Sequence, residues 1–386
     1  MAEYKVFMLP GPTQIPPRVL RANSSPMVNH RGPEFGALMK DVCRRLKSVF
    51  KTENDIVMLT SSGTGGLEAS VTNFINPGDK VIVASIGSFG ERFRDIATRF
   101  GADVDFIDFG WGNTVDPKVI AQRLEADTNH EIKAIFFQQN ETSTGILNPV
   151  KEIAAARGDH PALLIVDAVS GLGAAELDTD GWGLDVVVTG SQKALMAPPG
   201  LAFVSISERA WKANATCTNS SFYLDLKKHK EFAEQGQTPY TPAISTAFAV
   251  HEALHFINEL GGIDVIVKEH AFKRDVIRNA VKAIGLDLVA PDAIASPAVT
   301  AIYTPEGIAP TQITKLAREK YDCILAGGFG PLKEKSFRIG HLGYVSDADI
   351  IATISILEMC LAELGFQVQL GTGVAVAQRM LIEYRS

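Results

Sequence analysis

Residues 190–200 read GSQKALMAPPG and follow directly on the apolar run DVVVT of residues 185–189. A short β-branched run bounded by turn residues marks a buried strand, so Lys193 stands just past a strand's carboxyl end. Most lysines are solvated, and one in this position can simply close a turn. Here its neighbours are Gly190, Ser191 and Gln192, small or polar groups able to hold an anion through side-chain and backbone donors. A lysine desolvated in such a place has a lowered pKa and becomes a nucleophile able to form a Schiff base.

Runs of the same kind recur on either side: DIVML (55–59), KVIVAS (80–85), KAIFFQ (133–138), ALLIVDAV (162–169) and LAFVSI (201–206). Helical patterns such as GGLEASVTNFI (65–75) and GERFRDIATRFG (90–101) lie between the early ones. The alternation predicts an α/β fold with a mostly parallel sheet covered by helices on both faces. Ligands of such sheets collect beyond the carboxyl ends of the strands. After about residue 245 the texture changes to the long amphipathic patterns of 244–260 and 265–284, then to short strands at AVTAIYT (298–304), CILAGG (323–328) and SFRIGHLG (336–343). This predicts a smaller C-terminal α+β domain, with the division near GGID at residue 262.

Composition narrows the function. The chain has 386 residues and a formal net charge of −7, with no basic tract, which argues against a nucleic-acid partner. Cys43, Cys217, Cys323 and Cys360 are far apart in sequence and form no CxxC pair, so neither a disulfide framework nor a metal site is indicated, and a cytoplasmic setting is the simplest expectation. The opening MAEYKVFMLPGPTQIPP does not read as an export signal, and the closing YRS is not the peroxisomal tripeptide. The most apolar late segment, DIIATISILEMCLAELGF (349–366), carries Glu358 and Glu363 and reads as an amphipathic packed helix rather than a membrane span.

Several polar groups fall at the strand ends. Asp167 closes the run LLIVD; it can cap a turn, or, beside Lys193, hold a pyridine nitrogen protonated. LTSSGTGGLEAS (59–70) opens a helix with Ser62, Gly63 and Thr64, a phosphate site by physics; the alternatives are a flexible turn or a dinucleotide fingerprint, the latter weakened by Glu68 where a glycine is needed. Phe89 can stack on a planar ring or fill the core. Thr142, in QQNETSTGILNP, can reach a phenolic oxygen. Arg338, in a strand-like segment, needs an anion, either a substrate carboxylate or an internal partner.

Taken in order, LPGPTQIPPRVL, SSGTGGLEA, ETSTGILNP, VDAVSGLG, GSQKALMAPPG and FRIGHLG resemble the class V, fold-type I pyridoxal-phosphate aminotransferases, most closely the alanine–glyoxylate and serine–pyruvate or serine–glyoxylate branch. The likeness spans nearly the whole chain. It implies an arm of residues 1–20 near the site, a large pyridoxal-phosphate-binding domain of 21–262 and a small domain of 263–386. It also implies that Lys193 carries pyridoxal 5'-phosphate, with Asp167 on the ring nitrogen, Val169 beneath the ring, Thr142 at the ring hydroxyl and Phe89 stacked on it. Ser62, Gly63, Thr64 and Gln192 would hold the phosphate, and Arg338 and Gly11 would contact the substrate. The stacking position, often tryptophan in relatives, is Phe89 here, and Thr64 stands where some relatives have histidine.

The resemblance further implies a homodimer with active sites at the subunit interface, in which QTPYTPAIS of one subunit completes the other's phosphate site through Tyr240 or Thr241. The expected reaction is a ping-pong transfer of the amino group of alanine or serine to glyoxylate or pyruvate, with small amino acids and 2-oxo acids as the partners and no membrane. Ureidoglycine and aminoethylphosphonate are alternative donors. A cysteine desulfurase would need Cys323 as nucleophile in a mobile loop, whereas KYDCILAGG reads as a strand entering a turn, and Gln192 stands where those enzymes usually have histidine. A non-catalytic protein on the same fold would not need Lys193, Asp167 and Arg338 together. His30 and His341 read as structural or supporting residues.

Overall fold

The structure is a computed structural model that describes residues 5–219 and 221–386. Thirteen strands are present among them: β1 (Val6–Met8), β2 (Asp55–Thr60), β3 (Lys80–Ser85), β4 (Asp103–Asp108), β5 (Ile132–Gln138), β6 (Asn140–Glu141), β7 (Ile146–Leu147), β8 (Leu163–Asp167), β9 (Val186–Gly190), β10 (Leu201–Ile206), β11 (Val299–Tyr303), β12 (Cys323–Gly327) and β13 (Ser336–Gly340). Seven form one sheet in the order β2-β10-β9-β8-β5-β3-β4. Only β10 runs against its neighbours; the other pairings are parallel. Because β10 reverses between β2 and β9, the carboxyl ends of β2, β3, β5, β8 and β9 all reach the same edge of the sheet.

Period-two alternation sends each strand into two cores. Val186 and Val188 of β9 pack on one face with Phe136 and Ile165, while Val187 packs on the other with Phe137, Leu164 and Val166. Every residue of β8, β9 and β10 is buried, which is why these runs lack the polar alternation of a one-sided sheet. Strand β4, DVDFID, is absent from the sequence-based expectation. It lies at the sheet edge and is mostly half-buried, so acidic residues alternate with apolar ones and hide the run.

A second sheet has the order β1-β12-β13-β11. Strand β1 pairs in parallel with β12, so the N-terminal segment adds an edge strand to a sheet built otherwise from residues after 298. Val6 and Met8 share a core with the helices Ile263–Ile284, Pro310–Tyr321, Asp347–Glu363 and Thr372–Arg385. The change of core falls within the helix Ile263–Ile284: Ile266 packs with the large sheet and Val276 with the small one. The segment 349–366 forms the helix Asp347–Glu363, buried on most of its circumference. Glu358 is buried in it because its carboxylate accepts from the amides of Gly371 and Gly373 at 2.6 Å each. No helix among the described residues is long and apolar enough to cross a membrane.

Candidate active site

The loop after β9 places Lys193 beneath the N-terminal segment. Its Nζ donates to the carbonyl of Pro10 at 2.7 Å, and the amide of Thr13 donates to the carbonyl of Gln192 at 3.1 Å. Gly11, at φ +136°, leaves room for the lysine: a Cβ there would lie 2.3 Å from Nζ. Burial lowers the Lys193 pKa to about 8, with Asp167 opposing the shift and Arg338 and Arg92 adding to it. The amine is therefore partly neutral near physiological pH, as a nucleophile requires.

Asp167 ends β8, the strand next to β9, and is buried. Burial raises its pKa to about 6 against the opposing influence of the Val169 amide, Arg92 and Lys193. Its Oδ1 accepts from the Val169 amide at 2.9 Å, and no hydrogen bond engages Oδ2 among the described residues. Beyond β2, Ser62 precedes the helix Gly63–Thr72, whose first turn carries no acidic residue and no side-chain cap. Its leading amides are unsatisfied donors of the kind that hold phosphate. A Cβ on Gly63 would approach Val169 to 2.6 Å, so the helix end sits against the same surface as Asp167. The Oε1 atom of Gln192 is buried without a partner.

On the opposite side, Arg338 of β13 is buried and donates from Nε to the Gly327 carbonyl at 2.8 Å and from Nη1 to the Thr142 carbonyl at 2.9 Å. Burial lowers its pKa to about 10, with Glu141 opposing; it stays cationic at neutral pH. Thr142 donates from Oγ1 to Ser170 Oγ at 2.8 Å. Phe89 is half-buried, 6.4 Å from the ring of Phe329, and Phe329 in turn lies 4.9 Å from the Arg338 guanidinium. The structure thus gathers Gly11, Asp167, Val169, Gln192 and Lys193 with the Ser62–Thr64 turn, and links Thr142 to Arg338.

Neither Tyr240 nor Thr241 hydrogen-bonds Ser62, Gly63 or Thr64 of its own chain among the described residues, although their segment runs close by, the Ala243 amide donating to Thr60 Oγ1 at 3.1 Å. Tyr240 donates to the Phe222 carbonyl at 2.9 Å and stacks on Tyr223 at 5.0 Å, and Thr241 is exposed. His341 is buried between the Pro297 carbonyl at 2.9 Å and Thr300 Oγ1 at 3.0 Å, and His30 is half-buried in the turn before the helix Pro33–Phe50. Sequence reasoning missed Arg92, whose guanidinium lies 4.6 Å over the Phe89 ring and donates to Thr64 Oγ1 at 3.2 Å. Its spacing of three from Phe89 on one helix was the available signal. Glu141 and Ser170 were missed as well; both sit inside motifs already singled out.

Three other features do not compete for the chemistry. Cys323 opens β12 within the small core, fully buried, and burial pushes its thiol up to about 12; a protonated, enclosed thiol is no nucleophile. Among the described residues, one group could hold a metal ion, Asp41 with His251 and His255. Arg44, Arg45 and His251 already occupy both oxygens of Asp41, so a cation would have to displace guanidinium groups. A cavity of about 400 Å³ lined by Met196, Phe256, His270 and Tyr344 lies behind the lysine loop and holds none of the site residues.

The donor set fits pyridoxal phosphate: a nucleophilic lysine, a buried carboxylate with a free oxygen, and uncapped helix amides. The comparisons agree. The chain is 43% identical to the "soluble hydrogenase 42 kDa subunit" of Anabaena cylindrica, over 98% of this chain and 99% of that one. It is 37% identical to the serine–glyoxylate aminotransferase of Methylorubrum extorquens, over 98% and 96%. The crystal structure of the ureidoglycine–glyoxylate aminotransferase of Bacillus subtilis superposes with a TM-score of 0.93 at 28% identity, covering 99% of both chains. The aminotransferase class-V family model matches residues 6–328, and the chain belongs to that family of pyridoxal-phosphate-dependent aminotransferases.

Proposed function

We propose that the protein transfers the amino group of a small L-amino acid, serine or alanine, to glyoxylate or pyruvate. The observation that carries this reading is the convergence of Lys193 and Asp167 at adjacent strand ends, with the buried Arg338 at the Thr142 side of the site. When bound, the cofactor supplies an electron sink for the Cα–H electrons. Lys193 would carry the cofactor, and its amine, when free, would take the proton from the substrate Cα and hand it on from the same side of the site. Asp167 holds the ring nitrogen protonated. Ser62, Gly63, Thr64 and Gln192 would hold the phosphate, Val169 and Phe89 would pack against the ring, and Thr142 would meet its hydroxyl. Arg338 orients the carboxylate common to every donor and acceptor, and Gly11 leaves the space beside the lysine in which the amino group reacts.

The reading extends to a homodimer in which Tyr240 or Thr241 of one subunit reaches the other's phosphate. The exposure of Thr241 and of Phe222 supports this. The working units are the arm of 1–20, the large domain of 21–262 and the small domain of 263–386, in a cytoplasmic enzyme.

The test is optical. Protein loaded with pyridoxal phosphate shows a visible band that L-serine or L-alanine bleaches and glyoxylate restores. A band that ignores both donors, or yields only to aspartate, defeats the substrate assignment. In the same assay Arg338→Lys raises KM for donor and acceptor alike by about tenfold or more, because the ammonium cannot reproduce the two-pronged contact. A KM change confined to one substrate would remove Arg338 from carboxylate binding.

A further inference from the structure

Glu141 lies at the end of β6, fully buried. Its Oε2 accepts from the amide of Phe89 and from Gln138 Nε2, both at 3.0 Å. Its Oε1 accepts from the Ser143 amide at 3.0 Å and from Ser143 Oγ at 2.5 Å. All four partners can donate, so the set is that of an ionised carboxylate. Burial, with the Asp167 charge adding to it, leaves its pKa raised, against the pull of the Ser143 and Phe89 donors.

The partners lie on two loops that serve one site. The helix Ser88–Arg99 has Gly87 at its N-cap and no capping side chain of its own; Ser143 Oγ accepts from the Ser88 amide at 3.4 Å and Glu141 from the Phe89 amide, so the end of β6 performs the cap. That bond sets where the Phe89 ring sits. The next residue along the Glu141 loop, Thr142, holds Arg338 through its carbonyl, and the Glu141 charge acts favourably on that guanidinium.

We propose that Glu141 is a positioning residue for transamination: it fixes Phe89 at the cofactor ring through the backbone and supplies the counter-charge to Arg338 while no substrate is bound. This rests on the assignment of Phe89 to the ring and Arg338 to the carboxylate. Glu141 touches neither cofactor nor substrate in this scheme. It acts through the two residues that do.

The two roles have opposite signatures. Glu141→Gln turns an amide N–H₂ toward donors, breaking the link to Phe89 or to Ser143, and removes the charge. Apoprotein carrying E141Q binds pyridoxal phosphate about tenfold more weakly, read by quenching of intrinsic fluorescence. The loaded variant is inhibited by acetate about threefold more strongly, because Arg338 no longer has an internal anion beside it. Glu141→Asp keeps the charge but is one methylene short: cofactor affinity falls as in E141Q, and acetate inhibition stays at the wild-type level. A residue that merely packs would weaken both affinities together or leave both unchanged, and either result overturns the proposal. If E141Q fails to fold, E141D decides alone, since weaker cofactor binding with wild-type acetate inhibition supports the proposal and any parallel change refutes it. Wild-type protein that takes up no pyridoxal phosphate, or that acetate does not inhibit, would instead break the functional assignment on which the proposal stands.

Discussion

Lys193→Ala lowers turnover by about a thousandfold or more, the largest effect expected of any single substitution in the chain. The reason is that one amine does two jobs: it forms the covalent link and it moves the Cα proton, and positioned proton transfer alone is worth roughly 10²–10⁴-fold. Its environment is built for this. Burial brings the amine to about pH 8, and the Pro10 carbonyl at 2.7 Å aims it. The variant retains the phosphate-holding helix end and Asp167, so it still binds pyridoxal phosphate, without the visible band of the linked form. Borohydride treatment followed by mass spectrometry checks the assignment directly: wild-type protein gains the cofactor mass on the peptide containing Lys193, and the variant gains none. Label on any other lysine would refute it. An external amine such as methylamine partly restores turnover in the variant, which a collapsed site would not allow.

Much of this was legible because the chemistry sits at strand ends. A fully buried strand reads as a β-branched run, and the polar residue that ends it stands out; Lys193 after β9 and Asp167 at the end of β8 are both of this kind. The edge strand β4 was not legible, since its alternation of acidic and apolar residues matches its half-buried position and breaks the run. Pairing of β1 with β12 spans more than 300 residues and leaves no local trace. Glu141 was hidden differently. Its partner Phe89, just after β3, meets it only because β3 and β5 are neighbours in the sheet, a fact of topology rather than of spacing. The same holds for the coupling of Arg92 to Asp167 and Lys193.

Asp167→Asn separates what the site does for catalysis from what it does for stability. Asparagine keeps the shape and can still accept from the Val169 amide, the 2.9 Å bond that orients the native side chain, but it cannot hold a ring nitrogen protonated. Turnover falls roughly a hundred- to a thousandfold, the scale of losing one preorganised electrostatic contact in a buried site. Stability of the apoprotein moves the other way. The carboxyl pKa is about 6 in the folded chain against the usual carboxylate value of 3.8, so between these values the folded state binds the proton more tightly and stability falls as pH rises. Below the unfolded value both states are protonated and nothing is lost; above the folded value the full penalty remains, on the order of 3 kcal/mol. Cofactor-free D167N therefore unfolds at higher urea than wild type at pH 8, and the gap closes near pH 4. Equal midpoints at both pH values would mean that Asp167 is not strained by burial. The expected pattern is that of a group retained for function at a cost to the fold, and binding of pyridoxal phosphate to the wild type, by giving the carboxylate a cationic ring nitrogen, removes most of that cost.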